Sequence, residues 1–515
     1  MRGPSSSHCA ASVRIGRLAR DLMDGQIERV LVEYDAGGSL ATTHDSQGSD
    51  MGLLGGLLGW DAADERLPGS AAAIAGAGIE VCIRISEYGA AHPNTYKLTL
   101  ANGAEQHQMI ALSTGGGMIE AVEIDGARVS MRGDCYETLI YLDADAAETL
   151  GELSGQIDAD EIHLLNGASA SLIEIKGQGF PDPEVLARLR ARYGARRVKI
   201  LSPVLPVLSR KDLRVPFITC REMLAYNEAR GLDLWELALH YESARGDLSP
   251  EQVLEEMRGL VRVMEESIRQ GIQGTDYADR ILGVQSAPFR AAMEERRLLD
   301  GGVLDLIILY VTALMEVKSS MGVIVAAPTA GACGALPGAC IGAAHAMGSS
   351  LEEMTRAMLA AGIIGVFIAA HATFAAEVGG CQAECGAASG MAAAALVTLA
   401  RGSTGQATDA ASMALQNVLG MVCDPVANRV EVPCLGKNVM AAGNALACAN
   451  MALAGFDAVI PLDEVIEAMD RVGKSLPHEL RCTALGGLST TQTSEEIERR
   501  LSRSRAGAAT ASPAR

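Results

Sequence analysis

The chain has 515 residues, of which 49% are apolar and 21% are charged, and its formal net charge is −20. At roughly 150 residues per domain, this length predicts about three domains. The acidic balance argues against a nucleic-acid-binding protein, because phosphate contacts need a surface rich in Lys and Arg.

The apolar segments predict neither a secretory signal nor a membrane span. The first residues contain no apolar h-region. The run at 303–315 contains an aspartate, and the run at 360–370 ends at His371. Both are shorter than the roughly 18–20 apolar residues that cross a bilayer. We therefore expect a cytoplasmic protein with no membrane partner, whose twelve cysteines are thiols or metal ligands rather than disulfides.

Residues 1–142 are predicted to form an α/β domain. Helical spacing marks 12–25, and a second helix opens on glycine in 48–60. The segments 27–37 and 94–103 alternate apolar and polar residues, which is typical of half-buried strands.

Residues 143–205 are predicted to be a small βαββαβ unit, its first strand beginning just before that boundary. The order strand, helix, two strands about a turn, helix and strand is the ferredoxin-like plan. A linker with three prolines follows at 202–216.

Residues 206–490 are predicted to be an all-helical domain. Aromatic residues are scarce, at 3%, while glycine is abundant, with 56 residues, so helices with small side chains should pack closely. Glycine-rich loops interrupt the helices at 328–338, 377–390 and 481–491. The tail, 491–515, is expected to be largely disordered.

Five cysteines lie in loop-like segments of this helical domain, beside Gly or Pro, where binding residues often occur: Cys333, Cys381, Cys385, Cys423 and Cys434. From spacing alone, both buried thiols and a metal site stay open. The other seven are expected to pack as small hydrophobic residues: Cys9, Cys82, Cys135, Cys220, Cys340, Cys448 and Cys482.

Several motifs resemble those of the iron–sulfur-dependent L-serine dehydratases (L-serine ammonia-lyases) and recur in the family's order. They are GPSSSH (3–8), HPNT (92–95), APTAGACG (327–334), GCQAECGAASGMAAAA (380–395), GMVCDPVANRVEVPC (420–434) and LRCTALGGLSTT (480–491). The resemblance implies the family's β domain, an ACT-like unit and the family's α domain fused in one chain. The small helical residues suit a homodimer.

The resemblance also implies a cofactor and its ligands. Cys381, Cys423 and Cys434 correspond to the three cysteines that hold a [4Fe–4S] cluster in the family, whereas Cys333 and Cys385 stand where the family requires no cysteine. Three ligands leave one iron open as a Lewis acid for the β-hydroxyl of L-serine. The expected products are pyruvate and ammonia, and no phosphate cup with a partnered lysine indicates pyridoxal phosphate instead.

Substrate-binding residues are expected in GPSSSH, HPNT and PTAG: Ser5, Ser6, Ser7, Asn94, Thr329, Ala330 and Gly331. The catalytic candidates are His8, His44, Gln47 and His92. Where the family carries a GHGTD-like stretch, this chain reads SQGSD (46–50), so Gln47 replaces an expected histidine. Glutamine cannot act as a base, so His44 or His8 takes that role, or the substrate differs.

Two further departures weaken the assignment of serine. The segment before GCQ reads HATFAAE (371–377), and Asn428 stands where the family has Gly. Two alternatives therefore stay open. One is β-elimination from another small amino acid, such as threonine, cysteine or a hydroxylated acid. The other is a non-catalytic iron–sulfur sensor of amino acids.

Overall fold

The computed structural model describes residues 1–142, 157–167, 171–193 and 197–510. The chain divides into two compact units. The helical unit comprises Met1–Ser6, Ser46–Gly48 and Val215–Arg515, and the α/β unit comprises Ser7–Asp45 and Ser49–Arg214. Two short segments of the predicted first domain thus belong to the helical unit.

The α/β unit contains a six-stranded sheet, of order β2-β1-β3-β4-β5-β6. The β1–β2 pair is parallel and the other pairs are antiparallel. Its strands are β1 (Arg29–Asp35), β2 (Glu80–Ser86), β3 (Thr95–Ala101), β4 (Gln106–Gly115), β5 (Met118–Ile124) and β6 (Ala127–Met131). A π-helical turn, Ser6–Ala10, leads into α1 (Ala11–Leu22), which is followed by α2 (Leu40–Thr43), α3 (Ser49–Leu57) and α4 (Ser70–Gly76).

Glycine lets α1 and α3 approach at backbone distance. A Cβ added at Gly56 would lie 2.2 Å from the carbonyl oxygen of Val13, so no larger residue fits. The apolar faces of α1 and of the sheet form one core, which includes Leu18, Val32 and Leu98. The helices and strands predicted within 12–60 and 94–103 are confirmed.

A second sheet in this unit has the order β10-β7-β9-β8, with all neighbours antiparallel. Its elements are β7 (Tyr136–Leu142), β8 (Glu161–Asn166), β9 (Ser171–Gly177), α5 (Pro183–Tyr193) and β10 (Arg197–Leu201). These elements follow the predicted order. The predicted first helix falls largely within 143–156, outside the described residues, so the ACT-like assignment stays a prediction.

The described part of the helical unit contains helices and one isolated bridge, between Cys423 and Arg481, but no strand. Its helices are α6 (Cys220–Asn227), α7 (Leu234–Gly246), α8 (Pro250–Gln273), α9 (Ser286–Glu294), α10 (Val303–Ser319), α11 (Ala335–Met347), α12 (Leu351–His371), α13 (Ala376–Gly379), α14 (Cys385–Leu399), α15 (Thr404–Gln416), α16 (Cys434–Leu453), α17 (Leu462–Ser475) and α18 (Gln492–Thr510). Reciprocal capping boxes start α6, α8, α12 and α15.

Small side chains set the packing of this unit, as expected. A Cβ at Gly338 on α11 would lie 2.8 Å from the backbone nitrogen of Val311 on α10. Helix α12 is long and apolar enough, by length and composition, to cross a membrane, but 67% of its most apolar window is buried inside the unit. Such burial is also typical of a core helix.

The tail differs from the expectation of disorder, because Gln492–Thr510 is helical. Ile497 and Leu501 are spaced i, i+4 and pack in a small cluster with Val426 and Ala427. The hydroxyl of Ser494 also accepts a hydrogen bond from the Ala427 N–H, at 2.8 Å. Residues 511–515 lie outside the described residues.

Candidate functional site

The three predicted ligand cysteines come together in the helical unit. Cys381 opens a 3₁₀ turn, Cys423 lies in an extended segment, and Cys434 is the first residue of α16. All three are buried. The thiol of Cys381 interacts electrostatically with those of Cys423 and Cys434. The three cysteines therefore form one group, although 42 positions separate Cys381 from Cys423 and 11 separate Cys423 from Cys434.

Gln382 holds the Cys381 turn against the segment that leads to Cys423. Its side-chain oxygen accepts from the Gly420 N–H at 2.8 Å, and its backbone N–H donates to the Met421 carbonyl at 3.1 Å. The backbone of Gly380, at φ +73°, runs so close to Met421 that a Cβ would lie 2.8 Å from that carbonyl oxygen. The GCQ motif thus needs its Gly and its Gln for backbone reasons.

Lys437 anchors the Cys423 segment. Its ammonium donates to the Val422 carbonyl at 2.6 Å and to Asp424 at 2.8 Å. Burial lowers the pKa of this amine. The charges of Cys381, Asp424 and Cys423 raise the pKa by more than burial lowers it, so the net shift is upward. The lysine stays protonated beside the thiols.

Asn438, one turn into α16, connects Cys434 to the PTAG turn. Its amide nitrogen donates to the carbonyls of Cys434, at 2.8 Å, and Gly331, at 2.7 Å. Its oxygen accepts from the N–H groups of Gly334 and Ala335, at 3.2 and 2.9 Å. The side chain is fully buried, so these hydrogen bonds position the turn.

The PTAG turn contacts a buried carboxylate that sequence reasoning missed. The Thr329 hydroxyl donates to Glu384 Oε1 at 2.7 Å and accepts from the Ala332 N–H at 3.2 Å. A Cβ at Gly331 would lie 2.6 Å from Glu384 Oε1. Burial raises the pKa of Glu384, and the Thr329 hydrogen bond opposes that rise. The Thr329 hydroxyl therefore accepts from the backbone of its own turn and donates to a buried acid.

The N-terminal serines belong in part to the same group. The Ser6 hydroxyl accepts from the Ala330 N–H at 3.1 Å, and Ser5 is buried. Ser7 falls in the α/β unit, where it is buried. The structure therefore brings Ser6, Thr329, Ala330 and Gly331 together, and their role in substrate binding stays a prediction.

The predicted histidines lie in the α/β unit, in three different environments. His8 is fully buried, its Nε2 lies 2.8 Å from Thr43 Oγ1, and burial with the charge of His44 lowers its pKa to about 3. His44 pairs through Nδ1 with Asp50 at 2.6 Å. Burial lowers the pKa of His44, but the Asp50 hydrogen bond and charge outweigh it and raise the pKa overall.

His92 and Asn94 form the third environment. His92 Nδ1 accepts from the Asn94 N–H at 3.1 Å, and burial lowers the pKa of His92. Asn94 is fully buried, yet both polar atoms of its side chain lack a hydrogen-bond partner among the described residues. A buried amide without partners costs free energy, so Asn94 is suited to meeting a ligand.

Comparison with known proteins identifies the family. A family model described as "Serine dehydratase alpha chain" matches residues 229–489. This chain belongs to that family. The match contains the PTAG turn, all three predicted ligand cysteines and Asn438. Membership confirms the resemblance predicted from the motifs and makes the chain a lyase of the serine dehydratase type.

Relatives with curated names match about half of this chain. The chain is 36% identical over 285 residues to "Probable L-serine dehydratase, alpha chain" of Bacillus subtilis (strain 168), which spans 55% of this chain and 95% of that protein. Identity to "L-serine dehydratase, alpha chain" of Peptoniphilus asaccharolyticus is 37% over 283 residues, or 55% of this chain and 97% of that protein. Identity to "L-serine dehydratase 1" of Escherichia coli (strain K12) is 34% over 284 residues, or 53% of this chain and 62% of that protein.

The residues of the family site fit an iron–sulfur cluster. Among the described residues, no three His, Cys, Asp or Glu side chains are arranged to hold a single metal ion. A four-iron cluster needs a wider arrangement, because its cysteines bind different irons. Burial raises the pKa of Cys434 overall, although the charges of Lys318 and Lys437 oppose part of this rise. Metal binding to such thiols would deprotonate them.

Lys318 supplies an independent observation for this fit. It is fully buried, and its ammonium donates to the carbonyl of Val430. In the described part of the chain, no carboxylate lies within salt-bridge distance of it. Its charge interacts with Glu384 and with the thiols of Cys333 and Cys434. Because a buried cation is costly unless nearby anions compensate it, an anionic cluster on these thiols would stabilise Lys318.

Two cysteines expected only to pack also contact predicted ligands. The Cys385 thiol interacts with that of Cys381, and the Cys482 thiol with that of Cys423, and each interaction contributes to a raised cysteine pKa. Gln47 donates from its amide nitrogen to the Cys482 sulfur at 3.4 Å. The position of Cys482 within the LRCTALGG motif was the signal that could have found it.

The remaining cysteines do not join this group. Cys333 packs as expected, with its sulfur 3.9 Å from that of Met315. Cys82 was expected to be buried and is instead exposed, because β2 is an edge strand of its sheet.

The other departures from the family pattern have local explanations. Asn428 has φ +56°, in the left-handed region that Gly enters freely and Asn tolerates better than most residues. His371 lies at the end of α12, exposed, with its Nε2 3.1 Å from the carbonyl oxygen of Ile218. Neither residue needs a role in substrate choice.

Proposed function

We propose that this protein is a [4Fe–4S]-dependent L-serine dehydratase that converts L-serine to pyruvate and ammonia. The observation that carries the proposal is that one buried side chain, that of Asn438, links the cysteine group to the PTAG turn. Asn438 hydrogen-bonds both Cys434 and the PTAG turn. A cofactor site and a substrate turn are thereby held in one rigid arrangement. The names of the relatives support L-serine as the substrate.

Cys381, Cys423 and Cys434 would hold the cluster, which when bound supplies a Lewis acid for the departing hydroxyl. The chain's own residues bind and orient the substrate. The Ser6 hydroxyl accepts from the PTAG turn and can donate its own proton to the substrate carboxylate. The Thr329 hydroxyl donates to Glu384, so that it would have to turn away from this acid to bind the substrate.

A base must also remove the α proton, and His44 is the best suited of the predicted candidates. Its imidazole is oriented by the Asp50 carboxylate, which favours a defined tautomer and raises its basicity. His8, with a pKa of about 3, is a much weaker base at neutral pH. Gln47 has no basic nitrogen, and its amide is engaged with Cys482.

The experiment that tests the function is anaerobic purification, followed by quantification of iron and sulfide and an assay for pyruvate from L-serine. Four irons and four sulfides per chain, with pyruvate formation that oxygen abolishes, are expected. A chain that binds no cluster when reconstituted with iron and sulfide would refute the cofactor assignment.

The replacement of a histidine by Gln47 favours one second candidate, which is the same elimination on another small amino acid. Threonine, cysteine and small hydroxylated acids should be assayed beside serine with the same reconstituted protein. A higher kcat/KM for one of them would move the substrate assignment and leave the cluster assignment intact. The homodimer and the cytoplasmic location stay predictions.

A further inference from the structure

The carboxylate of Glu384 lies against the PTAG turn at a distance that only glycine permits. The Thr329 hydroxyl donates to its Oε1 at 2.7 Å. A Cβ at Gly331 would lie 2.6 Å from Oε1 and 2.9 Å from Oε2, so a larger residue at this position would displace the carboxylate. Both carboxylate oxygens are therefore held beside the backbone of the predicted substrate turn.

The helix that begins beside Glu384 does not use this side chain. Glu384 is the N-cap residue of α14, a position where a side-chain oxygen usually accepts from the first helical turn, yet its side chain makes no such hydrogen bond. Within the described ranges, its Oε2 accepts no hydrogen bond and belongs to no ion pair. The residue is partly exposed, so a ligand can reach Oε2.

Asp424, another carboxylate near the cysteine group, shows what a structural role looks like. Its Oδ1 accepts from the Lys437 ammonium at 2.8 Å, and its Oδ2 accepts from the Leu488 N–H at 3.0 Å. Both of its oxygens are therefore engaged, whereas Glu384 keeps one oxygen for a further donor. The charges of Lys318 and Lys437 also favour the ionised form of Glu384 by lowering its pKa against the effect of burial.

The PTAG turn thus presents a donor and an acceptor close together. The Ser6 hydroxyl accepts from the Ala330 N–H at 3.1 Å and has its own proton to donate. Glu384 contacts the residues on either side, Thr329 and Gly331. An α-amino acid carries a carboxylate and an ammonium group on one carbon, which suits this pair, whereas a hydroxy acid has no cation for Glu384. Hydrogen bonds between charged groups are the stronger ones.

We propose that Glu384 binds the α-ammonium group of the substrate through Oε2 and thereby makes the site selective for α-amino acids over hydroxy acids. The inference rests on the proposed function, because it presupposes that the PTAG turn holds the substrate. A site built to hydrogen-bond an N–H group of its substrate rejects an analogue that lacks this group, since its own polar atom is then left without a partner. Among the alternative substrates, this favours threonine and cysteine.

The test measures binding of L-alanine and L-lactate to the anaerobic, cluster-loaded protein by isothermal titration calorimetry. The two compounds differ only in an ammonium or a hydroxyl group, and neither has a β-hydroxyl to lose. The wild-type protein should bind L-alanine at least about tenfold more tightly, and Glu384→Gln should reduce this ratio to less than about threefold. Glu242→Gln is the matched control, because Glu242 is a partly exposed glutamate on α7 whose pKa is also raised by burial. It should keep the wild-type ratio.

Gly331→Ala supplies a second variant, because its Cβ would displace the Glu384 carboxylate without removing it. It should reduce the ratio in the same way. A wild-type ratio in Glu384→Gln, with iron and sulfide content unchanged, would overturn the proposal. Equal binding of L-alanine and L-lactate by the wild-type protein would also overturn it, even if neither variant folds. Failure of the wild-type protein to bind iron, or to form pyruvate from L-serine, would instead refute the proposed function.

Discussion

The cysteine group of the helical unit and the histidines of the α/β unit differ in how far their surroundings determine their roles. Each predicted ligand cysteine is tied by buried hydrogen bonds: Gln382 fixes Cys381, the Arg481 segment fixes Cys423, and Asn438 fixes Cys434. The three histidines, by contrast, differ in burial, in hydrogen-bond partner and in the direction of their pKa shifts.

That contrast shows what makes a functional residue recognisable. A metal ligand needs a fixed position, and a fixed position requires neighbours of particular types, which leave motifs in the sequence. A base needs a suitable pKa, and the pKa depends on burial and charge, which vary between His8, His44 and His92.

Replacing any one predicted ligand should abolish the cluster. Cys381→Ser, Cys423→Ser and Cys434→Ser should each lower iron and sulfide to background and eliminate pyruvate formation, because each removes a thiolate ligand. Cys385→Ser and Cys448→Ser should keep the cluster. Iron and sulfide analysis after anaerobic reconstitution checks this, and a cluster retained by Cys423→Ser would refute the ligand set.

Substitution of His44 should lower kcat much more than substitution of His92. His44→Ala should lower kcat by about 10²- to 10⁴-fold, the usual contribution of a general base. His92→Ala should lower it by less than about tenfold, because burial lowers the pKa of the His92 ring and no charged partner among the described residues opposes that shift. Steady-state kinetics at equal cluster content measures both. Equal losses in the two variants would remove the distinction between them.

The pH profile should depend on Asp50. A general base works in its neutral form, and the pKa of His44 is raised, so kcat/KM should fall on the acidic side with a midpoint above about 6.5. Asp50→Asn should move this midpoint to lower pH. The ion pair between His44 and Asp50 also stabilises the fold. Because folding raises the pKa of His44, this stabilisation is complete below the pKa of His44 in the unfolded chain and is lost as pH rises through its pKa in the folded protein. An unchanged profile in Asp50→Asn would exclude His44 as the titrating group.

Asn438→Ala should weaken the link between the ligand and the substrate turn. It leaves buried N–H and C=O groups without partners, which should lower the free energy of unfolding by about 3 kcal/mol. Asn444→Ala is the matched control on the same helix, since Asn444 is partly exposed and bonds Ser389 and Ala414. Its expected loss is about 1 kcal/mol. Urea unfolding of the apoproteins measures both, and equal losses would contradict a special role for Asn438.

The smallest effect is expected at Asn428. Asn428→Gly should change the free energy of unfolding by about 1 kcal/mol or less, because φ +56° suits both residues. Asn428→Val should cost about 1–2 kcal/mol more, since a β-branched residue is strained there. Thermal unfolding compares the two. A large change in substrate preference in Asn428→Gly would show that the residue does act on specificity.

Much of the fold was predictable from the pattern. Alternating segments became strands β1 and β3, and helical spacing gave α1, α3 and the helices of the larger unit. The tail was misjudged because its apolar residues are few, and Ile497 and Leu501 become informative only when Val426 and Ala427 lie opposite them. The assignment of Met1–Ser6 and Ser46–Gly48 to the helical unit was also unpredictable, because it depends on contacts distant in sequence.

By itself the sequence determined the family, and its motifs predicted the three ligand cysteines and the residues of the PTAG turn, because fixed backbone positions demand particular residue types at particular spacings. Only the tertiary structure brought Glu384 to Thr329 and Cys482 to Cys423 and Gln47. These pairs join segments up to 435 positions apart. Contact, burial and charge between such segments exist only once the chain has folded, and they decide which thiol or imidazole is chemically distinct.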